Sequence, residues 1–217
     1  FCHINPTTLN IDPNKIEKYI TKKTSAILAV HGFGTPCDVK KIQNIAKKHR
    51  LKVIYDAAHA FGTEIDGIGI GNFGDISMFS FHPTKLFHTA EGGALVCKNK
   101  LLKEKIDLLR NFGIKNEEEV LVPGINGKMN EIQAALGLSV LPLIRQERKE
   151  RRLINKIYEK YLDKIEGITY QKNQTNVRKS YQYFAIRINK EIFGRSRDEV
   201  YNVLRKHNIY ARKYFFP

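Results

Sequence analysis

The chain has 217 residues, 42% of them hydrophobic and 27% charged, which is the balance of an ordinary globular protein with a sizeable core. No apolar run approaches the ~20 residues of a membrane-spanning helix, and no secretory signal is recognisable at the start. The formal net charge is +15, but the Lys and Arg residues are spread along the chain without a nucleic-acid-binding signature. We therefore expect neither a membrane nor a nucleic acid as a partner.

The three cysteines, Cys2, Cys37 and Cys97, lie far apart and form no C-x-x-C pair. Their spacing predicts neither a disulfide framework nor a zinc site, and it favours a reducing cytoplasm. The sequence also lacks an H-x-x-x-H motif, so no metal is expected. The missing initiator Met and the abrupt end at Pro217 predict a piece of a longer protein.

Short apolar runs alternate with amphipathic segments over the first half of the chain. The runs at 25–30, 51–55, 75–81 and 94–97 predict strands. Helices are predicted from Pro36 onward, where apolar residues recur at helical spacing, and over 101–109. This alternation predicts a mostly parallel sheet covered by helices, with ligands bound at the carboxyl ends of the strands.

The second half has a different organisation. Residues 129–138 predict a helix, and a long charged helix is predicted over 142–165. A strand at 183–188, a helix opened by the capping box of Ser196 and Glu199, and a strand at 209–212 are predicted to follow. We expect an α/β chain in two parts: residues 1–140 in a large α/β domain, and residues 141–217 in a smaller α+β domain.

Asp56 directly follows the second predicted strand, at the edge where a ligand is expected. Taken alone, a strand-end Asp is explained equally well as a helix N-cap. Ala57 and Ala58 come next, and their small side chains would let a planar ligand lie close to the backbone.

A second polar segment follows the third predicted strand. Ser80 stands at the strand end, Pro83 fixes a turn, and Lys85 lies two residues after Pro83. Enzymes that use pyridoxal 5'-phosphate (PLP) need a lysine to form a Schiff base and an acid beside the pyridine nitrogen. Asp56 and Lys85, at the ends of neighbouring predicted strands, meet both needs.

Four motifs carry a resemblance to a known family: DAAHAFG at 56–62, SFHPTKLF at 80–87, EGGA at 91–94 and PGINGKMNEIQAALG at 123–137. In this order and at these spacings they resemble the DegT-type nucleotide-sugar aminotransferases, and the resemblance covers essentially the whole chain. It implies the α/β fold of the fold type I PLP-dependent aminotransferases, with a truncated C-terminal α+β domain. It also implies that an N-terminal portion of the large domain is missing.

The resemblance implies a role for each matching residue. Lys85 would form the Schiff base with PLP, and Asp56 would hold the pyridinium. His59, where many members have Gln, would reach the ring oxygen. Ser80 would bind the cofactor phosphate, and Asn126 would contact that phosphate across the interface of a homodimer with shared active sites.

The remaining histidines have no clear role in this pattern. His31 ends a strand without an evident partner, whereas His82 and His88 flank Lys85 and are expected to support the loop. Pro83 and His88 depart from the family's commoner Ala and Asn, although neither change removes a reacting group.

The resemblance implies transfer of an amino group from glutamate to a keto-deoxy sugar nucleotide, for surface polysaccharide biosynthesis. Residues 5–12 and 209–217 most resemble the subgroup that acts on dTDP-4-keto-6-deoxyglucose. Three alternatives stay open: a 3-keto sugar nucleotide as substrate, a non-catalytic sensing or scaffold module with the same fold, and salt-sensitive binding of nucleic acid.

Overall fold

The computed structural model describes residues 1–214. Its helices and strands, in chain order, are α1 Pro13–Ile16, β1 Ala26–Val30, α2 Val39–His49, β2 Lys52–Asp56, β3 Glu64–Ile65, β4 Ile68–Gly69, β5 Ile76–Ser80, β6 Gly93–Cys97, α3 Lys100–Leu109, α4 Glu131–Val140, α5 Ile144–Leu162, β7 Ile168–Tyr170, β8 Val177–Arg178, β9 Ile186–Ile188, α6 Lys190–Phe193 and α7 Arg197–Lys206. None of these helices combines the length and the apolar character needed to cross a bilayer.

The main sheet has the strand order β1-β2-β5-β6. β1 pairs with β2 and β2 with β5 in parallel, whereas β6 runs antiparallel to β5. All four strands that the sequence predicts in this region are confirmed. Because three of them run in the same direction, β1, β2 and β5 bring their carboxyl ends to one edge of the sheet.

The two faces of this sheet differ in burial. Val53 and Tyr55 of β2 are buried in the main hydrophobic core together with Val39, Ile42 and Ala46 of α2. This packing explains why alternate strand residues are apolar and why α2 repeats its apolar residues at helical spacing. The opposite face carries Leu28, Val30 and Leu95, which are 64%, 45% and 49% exposed among the described residues.

α7 begins where its sequence signal predicts, and α2 begins at Val39, three residues after Pro36, with Asp38 as its N-cap. The Asp38 side chain accepts a hydrogen bond from the Lys41 amide at 3.0 Å, and Ser196 with Glu199 forms the predicted capping box. The predicted helix at 129–138 begins slightly later, at Glu131, because Asn130 caps it in a second capping box. Side-chain caps of this kind satisfy amides that the helix itself leaves unpaired.

Three expectations for the second half need correction. The long helix ends at Leu162 rather than 165, and the predicted strand at 183–188 is limited to β9, Ile186–Ile188. The strand predicted at 209–212 is wrong, since the Ile209 amide donates to the Leu204 carbonyl at 2.9 Å and so ends α7 in a turn. Ile209 and Tyr210 are also largely exposed, so this segment has no buried face to hold it as a strand. Residues 215–217, part of the segment that suggested the 4-keto substrate, lie outside the described residues.

Candidate active site

Asp56 is the last residue of β2 and lies at the carboxyl edge of the sheet. Its Oδ1 accepts a hydrogen bond from the Ala58 amide at 2.9 Å, and its carbonyl accepts one from the His31 amide at 2.9 Å. Residues 57–63 form turns, so Asp56 caps no helix. Within residues 1–214, Asp56 Oδ2 accepts no hydrogen bond, which leaves this oxygen available to a ligand.

Lys85 lies in the loop that connects β5 to β6. The loop closes on itself, because the Lys85 amide donates to the His82 carbonyl at 2.9 Å and the Thr89 amide donates to the Phe81 carbonyl at 3.0 Å. Leu86 and Phe87 are buried directly after the lysine, and the Phe87 ring stacks on Phe61 at 4.5 Å. The loop is therefore anchored in the core while Lys85 itself stays only partly buried.

Asp56, His59 and Lys85 share one electrostatic neighbourhood. Burial lowers the pKa of His59, the positive charge of Lys85 lowers it further, and the negative charge of Asp56 opposes both effects. His59 is consequently neutral at neutral pH. Among the described residues, neither Asp56 nor Lys85 takes part in an ion pair, so the carboxylate and the ammonium converge on one region without neutralising each other.

Ser80 and Asn126 lie in different surroundings. Ser80 ends β5, the strand next to β2, and its Oγ accepts a hydrogen bond from the His82 amide at 3.4 Å. It therefore stands at the same edge as Asp56. Asn126 is exposed, and a backbone bridge ties it to Asn111, in a loop outside the main sheet.

Of the two histidines beside Lys85, His82 makes hydrogen bonds within the loop. His82 Nδ1 accepts a hydrogen bond from the Thr84 amide at 3.2 Å and lies 2.8 Å from Thr84 Oγ1. His88 is only partly exposed, and its Nδ1 is buried. No group of His, Cys, Asp and Glu side chains that could hold a metal ion occurs in the part of the chain that the structure describes.

His31, which the sequence left without a partner, is fully buried beneath the site. Its Nδ1 accepts a hydrogen bond from the Cys37 amide at 3.0 Å, and its ring stacks on Tyr55 at 4.7 Å. Burial lowers the pKa of His31 to about 3 from its ordinary value of 6.5. Since its backbone amide also binds the Asp56 carbonyl, His31 supports the strand end that carries the acid.

His31 should make the stability of the chain depend on pH. The unfolded chain takes up a proton at His31 near pH 6.5, whereas the folded chain does so only near pH 3, so stability falls as the pH drops between these values. We expect the free energy of unfolding to fall by about 1.4 kcal/mol per pH unit through this group, or about 2 kcal/mol between pH 6.5 and 5. Urea unfolding at several pH values measures this fall in the free energy of unfolding.

The variant His31→Asn tests this contribution, because an Asn side chain keeps an acceptor for the Cys37 amide but does not titrate. It should be less stable near pH 7 and lose less stability on acidification. His207→Asn, at an exposed position, should keep the wild-type pH dependence. An unchanged pH dependence in His31→Asn would contradict the assignment.

Sequence reasoning missed the contribution of residues 180–183 to the site. Ser180 and Gln182 are buried polar residues whose side chains bind the backbone next to His59 and Lys85. The sequence offers no signal for this contact, because the partners are about a hundred residues apart along the chain. The sequence predicted regular structure only for the segment that follows, as a strand at 183–188.

Comparison with known proteins places the chain in a family. The model of the DegT/DnrJ/EryC1/StrS aminotransferase family matches residues 1–217. The chain belongs to this family. DegT-family relatives named dTDP-4-amino-4,6-dideoxy-D-glucose transaminase occur in Shigella dysenteriae, 46% identical over 217 residues, and in Escherichia coli, 44% identical over 220 residues.

A solved structure of the same family has the same fold. The crystal structure of DesI in the presence of its TDP-sugar product superposes with a TM-score of 0.92 at 34% sequence identity, and the match covers 100% of this chain and 55% of that one. All of this chain, but only 59% and 58% of the Shigella and Escherichia relatives, lies within the matches. The DegT-family chain described here therefore spans a little over half the length of these relatives.

Proposed function

We propose that this chain is part of a PLP-dependent aminotransferase that transfers an amino group from glutamate to a keto-deoxy sugar nucleotide, dTDP-4-keto-6-deoxyglucose, for surface polysaccharide biosynthesis. The observation that carries the proposal is the convergence of Asp56, His59 and Lys85 at one strand edge, with no ion pair formed by the acid or the lysine among the described residues. The names of the Shigella and Escherichia relatives support the choice of sugar.

The groups present at this edge fit PLP. The cofactor carries a phosphate, an aldehyde and a pyridine nitrogen, which call for an anion-binding hydroxyl or amide, a primary amine and an acid. Ser80, Lys85 and Asp56 offer these groups, and Asp56 Oδ1 is already oriented by the Ala58 amide. Ala57 and Ala58 add little bulk at the strand end, which fits a planar ring lying against the backbone.

When bound, PLP supplies an electron-withdrawing ring that accepts electrons from the substrate and carries the amino group between the two half-reactions. Asp56 would hold a proton on the ring nitrogen. His59, whose pKa is lowered by its burial and by the charge of Lys85, would donate or accept a hydrogen bond at the ring oxygen. Lys85 would hold the cofactor through its Nζ. The same amine, when free, would act as the general base and acid that moves a proton at the substrate carbon.

Ser80 binds the cofactor phosphate in this proposal, and Asn126 of a second copy completes the phosphate site. The exposure of Asn126 supports such a role, since an exposed side chain in an outlying loop is free to reach another subunit. The active unit is therefore a homodimer.

We also propose that the boundary between the larger and the smaller domain lies between residues 140 and 141. β8 of the smaller part pairs with β3 of the larger part, so the two parts share a small sheet. We also place the reaction in the cytoplasm, in keeping with three cysteines that form no disulfide in the described part of the chain.

Absorbance titration tests the proposal. The chain, and beside it a version extended at the N-terminus, is titrated with PLP and then with glutamate, and the products formed from 4-keto and 3-keto sugar nucleotides are identified by mass spectrometry. A visible band that glutamate bleaches, and an amino sugar formed from the 4-keto substrate, are the expected results. Amination of the 3-keto substrate alone would correct the sugar, and absence of the band from both versions would overturn the proposed function.

A further inference from the structure

The segment 180–183, called the strap below, connects the smaller part of the chain to both loops of the candidate site. Ser180 is 1% exposed and Gln182 9% exposed, although both side chains are polar. Tyr181 between them has a φ of 55°, in the left-handed region that non-glycine residues rarely adopt. A buried polar segment with such a backbone persists only where its surroundings hold it in place.

Gln182 binds the backbone on both sides of Lys85. Its Oε1 accepts a hydrogen bond from the Leu86 amide, and its Nε2 donates one to the Thr84 carbonyl at 2.7 Å. These two groups belong to the residues directly before and after Lys85. A single side-chain amide therefore fixes the two peptide groups that flank the lysine, and the freedom left to Lys85 Nζ lies largely in its own side-chain torsions.

Ser180 and Tyr183 bind the other loop, which carries His59. Ser180 Oγ donates to the His59 carbonyl at 2.9 Å, and the Tyr183 ring meets the His59 ring edge-on at 4.7 Å. Gly34 completes the contact, because a Cβ at this position would lie 2.6 Å from the His59 carbonyl oxygen and 2.8 Å from Ser180 Oγ. The strap thus contacts both the loop that carries His59 and the loop that carries Lys85.

We infer that Gln182 is a positioning residue for Lys85, acting through the Thr84 carbonyl and the Leu86 amide, and that the strap sets the placement of the lysine relative to His59. The inference deepens the proposed function and rests on it, because it requires Lys85 to hold the cofactor. Its physical basis is that groups which must react need a defined geometry, and that supporting hydrogen bonds provide it. A role in stability alone would leave the chemistry of Lys85 unchanged in the folded protein.

Gln182→Met tests the inference, since methionine has a similar length but forms neither hydrogen bond. Three measurements on the full chain and on its N-terminally extended version separate the hydrogen bonds of Gln182 from the placement of the Lys85 amine. Hydrogen exchange of the Leu86 amide, followed by NMR without cofactor, reports the hydrogen bond between this amide and Gln182. Borohydride trapping of PLP on Lys85, quantified by mass spectrometry, and the pH midpoint of the visible band report the placement of the amine. Gln146→Met, on the exposed surface of α5, is the matched control.

In Gln182→Met we expect the Leu86 amide to exchange about tenfold faster, trapping on Lys85 at limiting PLP to fall at least about fivefold, and the pH midpoint to move by about half a unit or more. Gln182→Glu keeps an acceptor for the Leu86 amide and should restore its protection. If folded Gln182→Met shows the same trapping and the same pH midpoint as the wild type, the inference is overturned and the proposed function is unaffected. Absence of a Lys85 adduct from the wild type would overturn the proposed function and the inference with it.

Discussion

Replacing Lys85 with alanine should abolish the covalent attachment of PLP and lower amino transfer by about a thousandfold or more, as expected when a covalent nucleophile is lost. Nothing in the packing opposes the change, because the loop is anchored by Leu86 and Phe87 rather than by the lysine side chain. The variant should therefore fold normally. Borohydride trapping followed by mass spectrometry measures the attachment, and product formation from the keto sugar nucleotide measures the transfer.

Lys85→Arg and Lys98→Ala are the informative controls. Arginine keeps the positive charge but does not deprotonate to attack a carbonyl, so Lys85→Arg should be as inactive as Lys85→Ala. Lys98 is exposed beyond β6, and its loss should leave both readouts unchanged. A PLP adduct that survives in Lys85→Ala would show that another lysine carries the cofactor and would contradict the site assignment.

Replacing Asp56 with asparagine should lower amino transfer at least about a hundredfold while changing PLP attachment much less, since one positioned acid–base group contributes about 10²–10⁴ in rate. An asparagine oxygen still accepts the hydrogen bond from the Ala58 amide, which Asp56 Oδ1 accepts at 2.9 Å. The variant loses only the negative charge, which in the proposed function holds a proton on the ring nitrogen. Single-turnover bleaching of the visible band by glutamate measures the effect separately from cofactor binding.

Asp38→Asn is a matched control for this substitution. Asp38 caps α2 through its side chain, and asparagine is about as good a cap as aspartate, so stability and amino transfer should both stay near wild type. Unchanged bleaching in folded, PLP-bound Asp56→Asn would contradict the role of the acid. Loss of PLP attachment together with activity would assign Asp56 to cofactor binding rather than to the chemistry.

The strands of the main sheet could be read from the sequence because burial repeats with the period of the strand. Val53 and Tyr55 are buried in β2, and the strand ends at Asp56, one residue beyond the predicted boundary. The start of α7 was recognisable because Ser196 and Glu199 form a capping box. These signals are local, since each depends on residues within one or two turns of the chain.

The strand predictions were wrong where contacts between residues far apart in the sequence decide the local structure. The segment before β9 was expected to be a strand from residue 183, but its backbone follows the site loops and is held there by the side chains of Ser180 and Gln182. Residues 209–212 have a strand-like pattern of Ile and Tyr, yet they lie exposed after α7 with no buried face. Propensity alone does not decide the structure of such segments, because packing overrides it.

The sequence by itself determined the α/β class and the motifs of the DegT family, and it is the source of the proposal that Asp56 and Lys85 are the chemical pair, because periodicity and motif spacing are properties of the chain alone. Only the tertiary structure decided that His31 is buried next to the strand end of Asp56 and that Gln182 hydrogen-bonds the backbone on both sides of Lys85. It also decided that neither the acid nor the lysine forms an ion pair within residues 1–214. Those features depend on burial and on contacts between residues about a hundred positions apart, which the folded packing creates and no local pattern encodes.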